Sequence, residues 1–259
     1  MTTRPLAETT ALLTGSTGGI ALEIAAQLAE AGVPRLMLNG RTESRGVEAI
    51  DYVKARAGGA DVRFTLADPT RAEDAQRLAD ATVAAFGGID TLVCSISGHT
   101  MPRPFHELPY DAIDHLINAH LSSVIYTCRA AMPHMMQRGG GSIINIASDA
   151  AKIATPGEAV IGAGKAGVVM FTRTLALEAS RHGIRVNAIT PSIVRGTAAY
   201  DRAMAGEFSR KVFQKAESRA RLGVVTVDEL APLAVFLASP ASRKITGQAI
   251  SVNGGISAA

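Results

Sequence analysis

Seven short aliphatic or β-branched runs, each separated from the next by a longer helical pattern, constrain this chain more than any other feature. The candidate strands are residues 10–14, 35–39, 62–66, 91–96, 142–147, 185–190 and 248–252, and helical patterns such as 20–31, 71–86, 110–137 and 158–182 run between them. Strands that read as continuous apolar runs between helices predict a parallel sheet covered on both faces. No Pro/Gly/Ser linker and no repeat of fixed period interrupts the alternation, and Gly139, Gly140 and Gly141 read as a tight helix-to-strand turn. The expected architecture is a doubly wound α/β fold of the Rossmann type, with about seven strands and helices on both faces, spanning residues 1–259 as one domain. At 47% hydrophobic residues and 19% charged, the chain can bury a core of that size and does not read as disordered.

Charge and composition narrow the partners. Twenty-six Lys and Arg against 23 Asp and Glu leave a net charge of +3, too small an excess to suggest the basic stripe of a nucleic-acid protein. Tryptophan is absent and aromatics reach 4%, which argues against base-stacking platforms. The first ten residues lack the apolar centre of a signal peptide, and no apolar stretch free of glycine and charge approaches the roughly 18 residues of a membrane span. Cys94 and Cys128 sit inside apolar runs and read as small buried hydrophobes in a reducing compartment, and no Cys/His spacing resembles a metal site. These features predict a cytoplasmic protein with a small-molecule substrate, no nucleic acid, no membrane and no metal.

The first strand runs into Thr14-Gly15-Ser16-Thr17-Gly18-Gly19-Ile20-Ala21, which opens directly into a helix. Glycines there permit a sharp turn and close backbone approach to a pyrophosphate, and the helix N-terminus offers unpaired N–H groups and a positive dipole end. The second strand ends Leu38-Asn39-Gly40-Arg41. Folds that prefer NAD place a carboxylate at this point for the adenosine ribose. Here there is none before Glu43, and the Arg41 guanidinium suits a 2′-phosphate, so NADP(H) is expected in preference to NAD(H).

On these segments the sequence resembles the short-chain dehydrogenase/reductase family along essentially its whole length. The glycine loop matches the family's Thr-Gly-x-x-x-Gly-x-Gly, with Ala21 in the last glycine position. Asp68 resembles the family's adenine-contacting aspartate, and the strand ending at Ser148 resembles the one that carries the catalytic serine. Lys165 opens a Lys-Ala-Gly-Val run like that after the catalytic tyrosine, and the segments from His182 to Ala188 and from Ile245 to Gly255 are also characteristic. The resemblance implies cofactor contacts at Gly15, Ser16, Thr17, Gly19, Ile20, Arg41, Asp68, Ser95, Lys165, Pro191 and Val194. It also implies a homo-oligomer, tetramer or dimer, built through the long helices over 110–137 and 158–182.

The catalytic half departs from the family. The tyrosine expected thirteen residues after Ser148 and four before Lys165 is Ile161, and Tyr52, Tyr110, Tyr126 and Tyr200 cannot slide into register. The helix asparagine position is His120, with Asn118 two residues earlier; the Asn-Asn-Ala-Gly segment is Cys94-Ser95-Ile96-Ser97; and Pro-Gly becomes Pro191-Ser192, with the threonine displaced to Thr197. The expected catalytic set is therefore Ser148, Lys165 and His120. Ser148 would bond a substrate oxygen, Lys165 the nicotinamide ribose, and an imidazole at His120 could give or relay a proton, or could replace only the asparagine's structural hydrogen bond. His99 is a further candidate for the pocket wall. Residues 196–225 hold Arg202, Arg210, Lys211, Lys215, Arg219 and Arg221 around Met204, Phe208 and Phe213, which reads as an amphipathic helix with a basic face or as a lid whose cations attract an acidic substrate.

Three functions fit. The first is an NADP(H)-dependent oxidoreductase of a small or medium carbonyl, alcohol or imine, with a non-standard proton donor. The second is a catalytically impaired NADP(H)-binding pseudoenzyme. The third is a non-redox lyase or isomerase that uses the same pocket.

Overall fold

The computed structural model describes residues 4–96, 98 and 101–259, so Ser97 and the candidate His99 lie outside the described residues. Strands β1 (Thr10–Thr14), β2 (Arg35–Gly40), β3 (Asp61–Leu66), β4 (Thr91–Cys94), β5 (Gly141–Ile146), β6 (Ile184–Pro191) and β7 (Ala249–Val252) form one parallel sheet in the order β3-β2-β1-β4-β5-β6-β7. Leu12 pairs with Met37 on one side and Leu92 on the other, and Leu13 pairs with Leu38 and Val93. Side chains alternate across the sheet, so the two leucines serve opposite cores. Leu13 packs with helices α1 (Gly19–Glu30) and α2 (Glu43–Arg56) and, at the far end of the chain, Leu230, Ala234 and Leu237. Leu12 packs on the other face with Leu78, Val124, Met135 and Val168. The strand bounds agree with the sequence pattern except at β4, which ends at Cys94 rather than at residue 96.

Helix α3 (Ala72–Phe86) stops at Gly87, whose φ of +81° suits glycine. The single helix expected over 110–137 is instead α4 (Tyr110–Ile117), a wider π-turn at Asn118–Ser122, and α5 (Ser123–Arg138). The side chain of Ser123 bonds the Ala119 carbonyl at 2.7 Å beside this turn. A π-turn inserts one extra residue into the helix and re-aims the side chains around it, and such turns are frequent at functional sites. Here it carries His120, whose place in a π-turn the sequence pattern did not show.

Helix α6 (Ala159–Ser180) is long and apolar enough by length and composition to cross a membrane. In the fold it packs against β6 and the π-turn, burying Val168, Thr172, Leu175 and Ala176. Residues 196–225 form two helices rather than one, α7 (Ala198–Ala205) and α8 (Glu207–Glu217), with extended backbone at Gly206 between them. The Ser209 hydroxyl bonds the Ala203 carbonyl at 2.7 Å across this break, in space that a Cβ on Gly206 would fill. Helix α9 (Val227–Ala238) starts with a capping box in which Thr226 and Glu229 satisfy each other's backbone N–H groups.

Candidate active site

A cleft of about 560 Å³ opens at the carboxyl ends of the strands, centred on β1 and β4, between which the strand order reverses. Its first wall is the β1–α1 turn. Gly15 has φ +61°, and a Cβ there would run into the Ser95 carbonyl oxygen, so this position is closed to any side chain. The turn is tied down by Asn39, whose side chain accepts from the Gly15 N–H at 3.3 Å and donates to the Thr65 and Ala67 carbonyls at 3.2 and 3.0 Å. One amide thus holds the ends of three strands together. Helix α1 begins at Gly19 with no side-chain cap, leaving its first N–H groups open to the cleft that Gly15, Thr17, Gly18, Gly19 and Ile20 line. Ser16 differs from the sequence expectation. It is fully buried, its hydroxyl donates to the Leu13 carbonyl and accepts from the Asn39 N–H, both at 2.9 Å, and it shapes the loop without lining the cleft.

At the end of β2, Gly40 leaves no room for a Cβ, which would lie 2.5 Å from the Thr17 methyl. Arg41 and Arg45 line this end together with Asp68, whose carboxylate lies 3.8 Å from Arg41 and accepts from the Thr70 N–H and hydroxyl. Arg45 was not singled out from sequence because it falls on the polar face of helix α2, among other charged residues.

The opposite end gathers residues from β5, α6, the π-turn and α7. Ser148, Ile161 and Lys165 share one wall, and Ser95, Pro191, Val194 and Thr197 close the side. The Ser148 oxygen accepts from the Ala150 N–H at 3.2 Å. The Lys165 ammonium is buried and donates to the Ile146 carbonyl at 2.9 Å, and burial lowers its pKa to about 8 despite the Cys94 sulfur nearby. His120 is buried with both ring nitrogens unpartnered, and burial, reinforced by the charge of Lys165, lowers its pKa to about 3. The ring is neutral at neutral pH, which removes the imidazolium that a proton-donating His120 would need. Two further polar atoms in this end are buried without partners, the Asn118 side-chain oxygen and Arg202 Nε.

Three titratable cleft residues escaped the sequence reading: Glu158, His115 and Arg45. Glu158 had a legible signal, since it lies three and seven residues before Ile161 and Lys165, where their helix opens. Among the six lid cations only Arg202 lines the cleft; Arg210, Lys211, Lys215, Arg219 and Arg221 face solvent. Helices α7 and α8 are held together where Glu217 accepts from Tyr200 at 2.7 Å, and Glu217 also accepts from Arg195 at 3.0 Å. Among the described residues no cluster of His, Cys, Asp and Glu could hold a metal ion.

Residues 15–257 match the family model described as Enoyl-(Acyl carrier protein) reductase. The chain is 33% identical to D-beta-hydroxybutyrate dehydrogenase of Rhizobium meliloti (strain 1021) over 255 residues, 95% of this chain and 97% of that protein. It is 31% identical to 3-oxoacyl-[acyl-carrier-protein] reductase FabG of Staphylococcus aureus (strain Mu50), over 95% of this chain and 97% of that one. A short-chain type dehydrogenase/reductase structure from Mycobacterium ulcerans superposes with a TM-score of 0.88 at 27% identity, covering 96% of this chain and 90% of that one.

Proposed function

The chain belongs to the short-chain dehydrogenase/reductase family of oxidoreductases, whose members use nicotinamide cofactors, and from that premise we propose an NADP(H)-dependent enzyme that interconverts a small or medium carbonyl (or imine) and its alcohol (or amine) by a non-standard proton route. The observation that carries this reading is the cation pair Arg41 and Arg45 at the end of β2, where Gly40 excludes the side chain a ribose-binding carboxylate would need. The residues fit the dinucleotide throughout. The uncapped start of α1 would hold the pyrophosphate, Arg41 and Arg45 the 2′-phosphate, and Lys165 the nicotinamide ribose once it leaves the Ile146 carbonyl. A bound nicotinamide supplies or accepts the hydride. Ser148 keeps its hydroxyl proton for a substrate oxygen, and Ile161, standing where the family's tyrosine would, contributes no proton.

The same aliphatic Ile161 favours a second reading, a binding protein of the same fold that senses NADP(H) without turnover. Apolar side chains left exposed on the two long helices, Met170 and Leu177 on α6 with Tyr126 and Met136 on α5, support a homo-oligomer. The deciding experiment pairs fluorescence titration with NADPH and NADH and a carbonyl and imine screen followed at the reduced-nicotinamide absorbance. We expect tighter NADPH binding that weakens roughly 5- to 30-fold in Arg41→Ala, the loss of one exposed charge-assisted contact, together with turnover of at least one substrate. Equal affinity for the two cofactors defeats the NADP(H) assignment, and NADPH binding without turnover on any substrate favours the sensor.

A further inference from the structure

We propose that the carboxyl of Glu158 is the acid–base group of this cleft, giving a proton to the substrate oxygen on reduction and taking it back on oxidation. The proposal rests on the oxidoreductase reading and names the group that reading leaves unassigned.

Glu158 occupies the residue just before α6, and its side chain makes no hydrogen bond to the helix start and lines the cleft with Ser148, Ile161 and Lys165. Residues 161 and 165 lie on one helix face, and Glu158, whose carbonyl accepts from the Gly162 N–H at 2.6 Å, opens the turn before them. Every Cα–Cβ bond of a helix tilts toward the N-terminus, so a long side chain at 161 would overhang the turn of residue 158. Ile161 is shorter than such a side chain, and both it and Glu158 line the cleft. Among the described residues this carboxyl has no hydrogen bond and no ion pair.

Beyond Arg41, Arg45 and Asp68 at the end of β2, the charged and titratable groups that line the same cleft are Lys165 on α6, His115 on α4, His120 in the π-turn, and Tyr200 and Arg202 on α7. Arg103 also adjoins it, through a backbone N–H that bonds the Gly157 carbonyl at 3.0 Å. None of them offsets its burial, which raises the Glu158 pKa to about 7, the range in which a general acid works best at neutral pH. Three of the other cleft groups are committed or mistuned, which leaves His115 as the competitor. Lys165 is bonded to Ile146, the Tyr200 hydroxyl to Glu217, and His120 is neutral.

In the step itself, hydride carries an electron pair to the carbonyl carbon, the C=O π pair moves to oxygen, and that oxygen takes the Glu158 proton. The carboxylate reloads from solvent. One ketone, one reduced nicotinamide and one proton become one alcohol and one oxidised nicotinamide.

The test uses the full-length protein with NADPH and two probes, ethyl acetoacetate and 2-methyl-1-pyrroline, from pH 5 to 9, beside NMR titration of protein labelled with 13C at the glutamate carboxyls. For the ketone, Glu158→Gln should lower kcat roughly 100- to 10,000-fold and abolish a fall in rate above neutral pH, with NADPH affinity within about twofold of wild type. Glu158→Asp should retain part of the activity. The NMR titration should show one carboxyl with a midpoint near neutrality, missing in Glu158→Gln and displaced when NADPH fills the cleft. A kcat for Glu158→Gln within about threefold of wild type at every pH, loss of the pH limb in His115→Gln instead, or no carboxyl with a neutral midpoint overturns the proposal. A wild type that binds NADPH yet reduces neither probe defeats the oxidoreductase reading; the NMR titration then decides this one alone, a displaced midpoint supporting it and an unmoved one overturning it.

Discussion

Replacing Ile161 by tyrosine tests how the reacting end of the cleft is laid out. Residues four apart on a helix have Cβ atoms about 5–6 Å apart on one face, so a phenol at 161 would stand beside the Lys165 ammonium. That ammonium is held in place by the Ile146 carbonyl at 2.9 Å and, with a pKa of about 8, is largely charged at neutral pH. A unit charge about 5 Å away at an effective dielectric of about 20 favours the phenolate by roughly 3 kcal/mol, or about two pKa units. Burial of the phenol opposes this, leaving it between about 8 and 9, still low enough to serve as an acid near neutrality. Ile161 is half-buried at the edge of a 560 Å³ cleft, so the larger ring has somewhere to go. In the Glu158→Gln background the tyrosine should restore roughly 100-fold or more in ethyl acetoacetate reduction, the low end of what a positioned acid contributes, whereas in wild type, where Glu158 already gives the proton, the gain should be much smaller. The assay is the decay of NADPH absorbance for wild type, Ile161→Tyr and, as a steric control, Ile161→Phe, each with and without Glu158→Gln. The two substitutions are not additive, because the phenol carries the proton once the carboxyl is gone. If Ile161→Tyr and Ile161→Phe behave alike in both backgrounds, residue 161 does not face the reacting atoms and the placement of the site is wrong.

Three further outcomes follow from burial. Glu158, with its folded pKa raised from 4.5 to about 7, holds a proton that the unfolded chain loses between those values, so its contribution to stability falls as pH rises through that window. Glu158→Gln should therefore raise the melting temperature at pH 8 but not at pH 4.5, by a few degrees for about 1–2 kcal/mol after allowance for its partial exposure, read by scanning calorimetry. His120 is the opposite case. Its folded pKa is depressed from 6.5 to about 3, so stability is complete above pH 6.5 and declines as acid protonates the unfolded chain, by about 3 kcal/mol at pH 4; His120→Asn should move the acid-unfolding midpoint, followed by circular dichroism, to lower pH. Asp90 is buried and accepts from the Thr10 N–H at 2.9 Å and from the Arg138 guanidinium at 3.0 and 3.1 Å. Asp90→Ala should cost about 3–5 kcal/mol, seen as a drop in the urea midpoint with an unchanged slope.

Much of the molecule was legible in the chain by itself. The alternation of apolar runs and helical patterns is a local property, and it specified seven parallel strands to within a residue or two except where β4 ends early. Glycines at positions needing a turn, an arginine after β2 and the spacing of Ile161 and Lys165 are likewise local, because neighbours along one helix or one turn share a face whatever packs around them, whereas Ser148, just after β5, joins them only through the packing of that segment against α6. Tertiary structure decided the rest. Ser16 sits in the glycine loop, yet Leu13 and Asn39 claim its hydroxyl. His120 was placed by spacing, but a π-turn and the packing of α6 bury its ring and take away its charge. Glu158 is an ordinary glutamate in the sequence. It becomes an acid of neutral pKa because the cleft withdraws it from water without pairing it with a cation. Desolvation depends on every segment that covers a group, and that sum exists only once the chain has folded.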